Sequence, residues 1–383
     1  MTNSYIILGL LYGDEGKGSI TNLLVKRIKE LSPEAKPIVI RFNGGHQCGH
    51  TVVEDGQRHV FSTFGSGTLS GIPTFWSKYC TFNPIGVQNE LEALLKLGKK
   101  PLLIVDPMSP LVTFMDVKAN TSNPNYMRNG TCGVGFGSTI ARNESPYKLF
   151  TQDLLLSKNL LMTKLRAIRY YYNSIGIEFT DEEFQMNADT LLNNNILKSD
   201  YVKLSTENIL KSDFTHYVFE GGQGIMLDMD FGFFPHVTRS NTTSKNAIEI
   251  IERNNLGQYD ICYVSRVYQT RHGNGPLTNE DLKDELELNE NPNETNVTNP
   301  WQGEFRKAPL DLEIMMYAIT ADNNFSKEAN KKSLFLTCVD QICGLVPITD
   351  KETKILKRFT PKQLCQELIQ YLSLDSVITK SAE

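Results

Sequence analysis

The chain has 383 residues, 40% of them hydrophobic and 22% charged, which is the composition of a globular protein with a large core. With 39 Lys and Arg against 44 Asp and Glu, the net charge of −5 draws it neither to nucleic acid nor to an anionic membrane, so any phosphate must be met by a local site. Seven scattered cysteines form no CxxC pair, so neither a zinc site nor a disulfide framework is indicated and a reduced, cytoplasmic setting is expected.

The apolar run 4–11 is too short to span a bilayer and reads as a first strand. It ends at Gly13-Asp14-Glu15-Gly16-Lys17-Gly18, and residues 19–31 then carry apolar side chains at helical spacing. In such a strand, Gly-rich loop and helix, backbone N–H groups can wrap phosphate oxygens while the helix N-terminus and Lys17 add positive charge. Gly18 stands where a Walker A loop has Ser or Thr, so the loop is of another kind; a plain turn with a solvated lysine is the alternative. Asp14 and Glu15 would repel phosphate unless a cation intervenes, and Mg²⁺ bridging Asp14 to the phosphates is the expectation.

A second strand, 37–42, runs into Gly44-Gly45-His46-Gln47-Cys48-Gly49-His50-Thr51. The glycines allow a ligand to approach closely, which suits His50 to act as an acid or hydrogen-bond donor; metal binding by His46 and His50 is the alternative. Further strands are expected at 101–105, 215–219, 260–264 and 333–339, with helices at 87–97, 244–254 and 361–373. The alternation predicts an α/β fold with a mostly parallel central sheet and surrounding helices. We read one domain over 1–383, with a small helical insertion at about 151–211 and a mobile loop at about 278–305. The segment 219–243, dense in glycine, amide and hydroxyl groups, suits a polar small molecule, although the hydroxyls of Ser240 to Ser244 could merely cap a helix. Arg266, Arg271 and Arg306 are candidates for phosphate or carboxylate recognition, each alternatively a surface charge.

GDEGKG at 13–18, GGHQCGHTV at 44–52, FEGGQG at 219–224 with VTRSNTT at 237–243, and SRVYQTRHGNGPL at 265–277 together resemble the adenylosuccinate synthetase family, in that family's order and over most of the chain. The resemblance implies a P-loop-NTPase-like fold and a ligase of purine biosynthesis. Such an enzyme phosphorylates O6 of inosinate from a nucleoside triphosphate and then joins L-aspartate at C6. It implies Asp14 as the base at N1 and, with the carbonyl of Gly49, as a ligand of Mg²⁺; His50 as donor to the transferred phosphoryl group; and Lys17 as the neutralising charge. Gly13, Glu15, Gly16, Gly18, Thr51 and Asp340 would hold GTP or ATP. Gln47, Thr131, Cys132, Gln223 and Thr238 would hold the monophosphate, with Arg142 crossing from the partner of a homodimer, and Arg306 would read the aspartate carboxylate.

Gln47 stands where the family commonly has Asn, Cys132 where it has Thr, and Thr337-Cys338-Val339-Asp340 lacks the lysine of the guanine-reading segment, which opens the choice between GTP and ATP. Phage relatives that take deoxyguanylate typically carry Ser in place of Asp14. Asp14 therefore leans toward inosinate, with (d)GMP and a 2-aminoadenine precursor as the alternative. A non-catalytic nucleotide-binding module is a further alternative, against which Asp14, Lys17 and His50 stand intact.

Overall fold

The computed structural model describes residues 3–123, 131–291, 294, 296, 298, 303–350 and 352–380. Its strands are β1 (Ser4–Gly9), β2 (Pro37–Arg41), β3 (His50–Glu54), β4 (Gln57–Phe61), β5 (Thr74–Trp76), β6 (Leu103–Val105), β7 (Val202–Leu204), β8 (His216–Gly224), β9 (Tyr259–Arg266), β10 (Gln269–His272), β11 (Phe305–Ala308), β12 (Leu310–Asp311), β13 (Lys331–Thr337), β14 (Val346–Thr349), β15 (Leu356–Phe359) and β16 (Ser376–Thr379). The helices are α1 (Lys17–Leu31), α2 (Pro84–Lys96), α3 (Phe114–Ser122), α4 (Phe136–Glu144), α5 (Lys158–Ser174), α6 (Asp181–Leu192), α7 (Ile209–Asp213), α8 (Lys245–Asn254), α9 (Leu312–Asp322) and α10 (Pro361–Leu372).

Nine strands form one sheet in the order β16-β13-β9-β1-β8-β2-β5-β6-β7, and every pairing in it is parallel. β1 is continuously apolar because both of its faces are covered. Ile7 packs with Ile20, Val25 and Ile28 of α1 on one side. Ile6 and Leu8 pack with Ile248 and Ile251 of α8 and Met315 and Ile319 of α9 on the other. A third cluster joins Trp76, Leu103 and Val105 at the far end of the sheet to Leu161, Leu165 and Ile168 of α5 and Phe184 of α6.

The strands expected from apolar runs fall where the sequence reading puts them. β5, β7 and β16 escape it, because three or four residues carry no readable period. β7 lies inside the stretch read as a helical insertion: α5, α6 and α7 are there, but Val202–Leu204 pairs with β6 as the edge of the main sheet. Of the stretch read as a mobile loop, Glu280–Glu285 is a 3-10 turn and β11 pairs antiparallel with β10, while residues 292, 293, 295, 297 and 299–302 lie outside the described ones.

Candidate active site

In a parallel sheet the strand-to-helix turns gather at the carboxyl ends of the strands, and ligands bind there. A cleft of about 320 Å³ opens at that edge, lined by residues 13–18 after β1, 47–51 after β2, and Gln223 at the end of β8. Asn120, Thr131, Cys132, Thr238, Arg239, Arg266, Arg271 and His272 complete much of its wall.

The Gly-rich loop is held from outside. Asp14 and Gly16 sit in the left-handed region, at φ +56° and +90°, which coils the turn tightly before α1 begins at Lys17. Arg266 Nε donates to the Asp14 carbonyl at 2.7 Å and Thr337 Oγ1 to the Glu15 carbonyl at 2.8 Å. The remaining reach of Arg266 goes to the Tyr268 hydroxyl and Glu294, so it braces the loop. At Gly18 a Cβ would stand 2.9 Å from both His50 Cβ and Ser66 Oγ, so only glycine lets α1 approach the His50 strand this closely.

Glu15 and Lys17 are buried, with Lys17 Nζ 3.9 Å from Glu15 Oε2. Burial pushes the Glu15 carboxyl up to about 7, against the pull of Lys17 and the Leu11 amide. At neutral pH Glu15 is therefore partly protonated, which removes some of the negative charge that the sequence set against phosphate.

His50 begins β3. Its Nδ1 lies 2.6 Å from Glu220 Oε1 and its Nε2 3.3 Å from the Gly222 carbonyl. Glu220, on β8, also accepts from the Ser66 amide at 3.0 Å and from the Ser66 hydroxyl, and Arg41 Nη1 lies 3.9 Å away. Burial alone would raise the pKa of Glu220, but His50, Arg41 and these hydrogen bonds hold it down at about 2. Both ring nitrogens of His50 face acceptors, which a doubly protonated imidazole satisfies. Burial, Arg41 and Lys17 push the His50 pKa down while Glu220 pushes it up, and the net direction is down. Sequence reading passed over Glu220 and Arg41; the signal it had was a base ending the apolar strand β2 and an acid directly after the apolar run of β8.

Toward the other end of the cleft, both amide atoms of Gln47 and Oε1 of Gln223 are buried without a hydrogen-bond partner, facing space that a polar ligand would fill. Thr131 Oγ1 donates to Asn120 Oδ1 at 2.7 Å, which folds the 131–135 turn onto α3. Burial pushes the Cys132 thiol up to about 12 and raises that of Cys48, so neither is a thiolate. None of the seven cysteines is in a disulfide. Thr238, Thr51 and Gly49 line the cleft as expected.

Other expectations need correction. Arg142 does not reach outward toward a partner subunit: it is fully buried, its guanidinium bidentate on Asp116 at 2.8 and 3.1 Å and otherwise donating to Asn143 and to the carbonyls of Leu111 and Tyr147. Arg306 does not line the cleft; it pairs with Glu280 at 2.7 Å. Its register partner on β10, Arg271, is the one that lines it, with its guanidinium 4.3 Å above the Tyr12 ring and Nε unpartnered. Asp340 is exposed just after β13 and outside the cleft wall. His46 turns away to Thr63, and no cluster of metal-binding side chains exists among the described residues, which removes the His46 and His50 pair as a metal site. Three hydroxyls of 240–244 are scaffold: Ser240 accepts from the Gly44 amide, Thr242 donates to the Gly224 carbonyl and Ser244 to Asp322, while Thr243 Oγ1 is buried without a hydrogen-bond partner.

Fold and site together define a parallel-sheet α/β protein whose Gly-rich loop and buried histidine–glutamate pair meet at one cleft. The chain belongs to the adenylosuccinate synthetase family: the family model for adenylosuccinate synthetase matches residues 6–349. It is 30% identical over 298 residues to the adenylosuccinate synthetase of Histophilus somni strain 129Pt, covering 74% of this chain and 66% of that one. To that of Xylella fastidiosa strain M12 it is 30% identical over 300 residues, covering 73% and 66%. The chain thus spans about two thirds of the length of these relatives. Among solved structures, fully ligated adenylosuccinate synthetase from Plasmodium falciparum superposes with a TM-score of 0.75 at 18% identity, over 99% of this chain and 97% of that one. Cyanophage S-2L succinoaminodeoxyadenylate synthetase, bound to dGMP and to dATP as energy donor, superposes with 0.61 at 16% identity, over 100% and 93%. These two likenesses are of fold.

Proposed function

We propose that this chain is a ligase that joins L-aspartate to C6 of inosinate, driven by a nucleoside triphosphate, GTP or ATP. The observation that carries the reading is the cleft itself, where Asp14, Lys17 and the His50–Glu220 pair meet at the end of the Gly-rich loop. Asp14 takes the proton from N1, which puts negative charge on O6; O6 then attacks the terminal phosphorus of the triphosphate, the bond from that phosphorus to the bridging oxygen breaks, and the nucleoside diphosphate leaves. Lys17 offsets charge building on the transferred group, and His50, positioned by Glu220, donates its Nε2 proton to a phosphoryl oxygen. The amine of aspartate then adds at C6 and the C6–O bond breaks, releasing phosphate. Arg271 replaces Arg306 as the reader of an aspartate carboxylate, with its unpartnered Nε turned to the cleft wall.

The oxygen donors fit Mg²⁺, which takes one or two carboxylates plus substrate phosphates and needs no cage of protein ligands. The Asp14 carboxylate and the Gly49 carbonyl, both in the cleft wall, would hold it, and it would supply charge neutralisation for the phosphates. A single-domain chain working in the cytoplasm as a homodimer completes the reading; among the described residues no helix is long and apolar enough to cross a membrane.

A second reading is favoured by the unspent acceptors Gln47 Oε1 and Gln223 Oε1, which suit a 2-amino group and hence (d)GMP. One assay tests both. The protein is incubated with Mg²⁺, L-aspartate, each of ATP, dATP and GTP, and each of inosinate, guanylate and their deoxy forms, and the products are weighed by mass spectrometry. A succinyl-nucleotide from inosinate is expected; one from (d)GMP alone selects the second reading, and none from any pairing overturns both.

A further inference from the structure

A purine monophosphate carries a dianionic 5′-phosphate, and Arg142, expected from the sequence to meet it, is spent inside its own chain. The other guanidiniums of the cleft wall are already assigned, Arg266 to the Gly-rich loop and Arg271 to the aspartate carboxylate. Arg266 braces the Gly-rich loop and is nearly buried, and Arg271 donates to the carbonyls of Pro276 and His236.

Arg239 differs. It follows Thr238, whose amide is pinned to the Leu227 carbonyl at 2.9 Å, so the backbone is fixed while the side chain, 40% exposed, remains at the cleft. Its ion pair is with Glu144, 54% exposed, at the last residue of α4, the helix that follows the 131–135 turn of the same wall. An exposed pair of this kind is weak and screened by salt, whereas arginine with phosphate makes short, frequently bidentate, charge-assisted hydrogen bonds. Exchange of the glutamate for a phosphate dianion is therefore downhill.

We propose that Arg239 binds the 5′-phosphate of the purine monophosphate, in the same chain that holds the purine, and that Glu144 is a placeholder which the phosphate displaces. The proposal rests on the reading of the site as one for a purine nucleoside monophosphate. Both side chains are exposed, so their replacement leaves the core untouched.

The test is equilibrium binding of inosinate and deoxyguanylate, each beside its unphosphorylated nucleoside, to the full chain and to its Arg239→Ala and Glu144→Gln variants. The wild-type protein binds a monophosphate more tightly than its nucleoside. Arg239→Ala weakens the monophosphate by about 10- to 100-fold and leaves the nucleoside unchanged, while Glu144→Gln tightens the monophosphate by about 2- to 5-fold. If Arg239→Ala keeps the wild-type preference for the monophosphate, the assignment of Arg239 is wrong and the purine reading stands. If the wild-type protein binds neither form, or binds both equally, the purine monophosphate reading falls first.

Discussion

Two buried glutamates serve one cleft, Glu15 in its wall and Glu220 behind His50, and they are held in opposite ways. Glu220 lies between His50, Ser66 and Arg41, and its carboxyl is drawn down to about 2. Glu15 accepts from the Leu11 amide, its Oε2 has no hydrogen-bond partner, Lys17 is 3.9 Å off, and burial lifts it to about 7. Both Glu220 oxygens have partners before any ligand arrives. The Glu15 side carries an unsettled charge beside the loop that phosphate would enter. One wall is built to position a proton, and the other is left to be completed by ligand charge.

The sharpest way to break this contrast is at the proton itself. His50→Asn lowers kcat by about 10²- to 10⁴-fold while nucleotide binding persists, read by product formation alongside calorimetric titration. A loss of binding equal to the loss of kcat would mean that His50 serves only the architecture.

Removing the carboxylate comes next. Glu220→Ala leaves Arg41 buried without its counter-charge and costs about 3–5 kcal/mol in denaturant unfolding. Because its folded pKa lies below the ordinary 4.5, the stabilisation from Glu220 is full above that pH and is lost as pH falls toward 2. The difference between wild type and variant therefore narrows below pH 4.5, and a difference that stays constant with pH would contradict the ion-pair account.

On the other wall the sign reverses. The folded pKa of Glu15 lies above 4.5, so folding loses stability as pH rises from 4.5 to about 7 and stays at that lower level beyond. Glu15→Gln accordingly stabilises the ligand-free protein by about 1–3 kcal/mol at pH 8 and by nothing at pH 4, measured as melting curves across pH. Thr337→Val is the mildest test. It removes the hydrogen bond to the Glu15 carbonyl and costs about 1 kcal/mol, with weaker triphosphate binding than stability alone explains.

Much of this was legible in the chain because its physics is local. The apolar run at Tyr5 to Leu8, the glycines before α1 and the spacing of Ile20, Val25 and Ile28 each declare themselves within a dozen residues. The loops at 13–18 and 44–51 read as ligand-facing, and all of the first and residues 47–51 of the second line the cleft. What escaped was long-range. Glu220 meets His50 across 170 positions, and no pattern around either residue announces the other. The resemblance offers Arg142, which follows the glycine turn at 133–137, as the crossing arginine, yet Asp116, on a different helix, claims it. Arg306, the residue the resemblance offers for the carboxylate, and Arg271 are register partners that share one face of the β10–β11 ribbon, and only the folded site shows Arg271 in the cleft wall and Arg306 held by Glu280.

The central position of β1 bears on how the chain comes to exist. Ser4 lies opposite Tyr217 of β8 on one edge and Tyr259 of β9 on the other, so β1 leaves the ribosome long before either of its neighbours. At synthesis rates of about 5–20 residues per second, the segment Tyr5–Leu8 waits about 10–40 s with its apolar edges unpaired. During that interval it is a sticky strand attached to a growing polymer. A nascent chain stalled before residue 216 should therefore hold α1 beside an exposed β1 and be a ready client for a chaperone, whereas one extended beyond β9 should have closed the centre of the sheet.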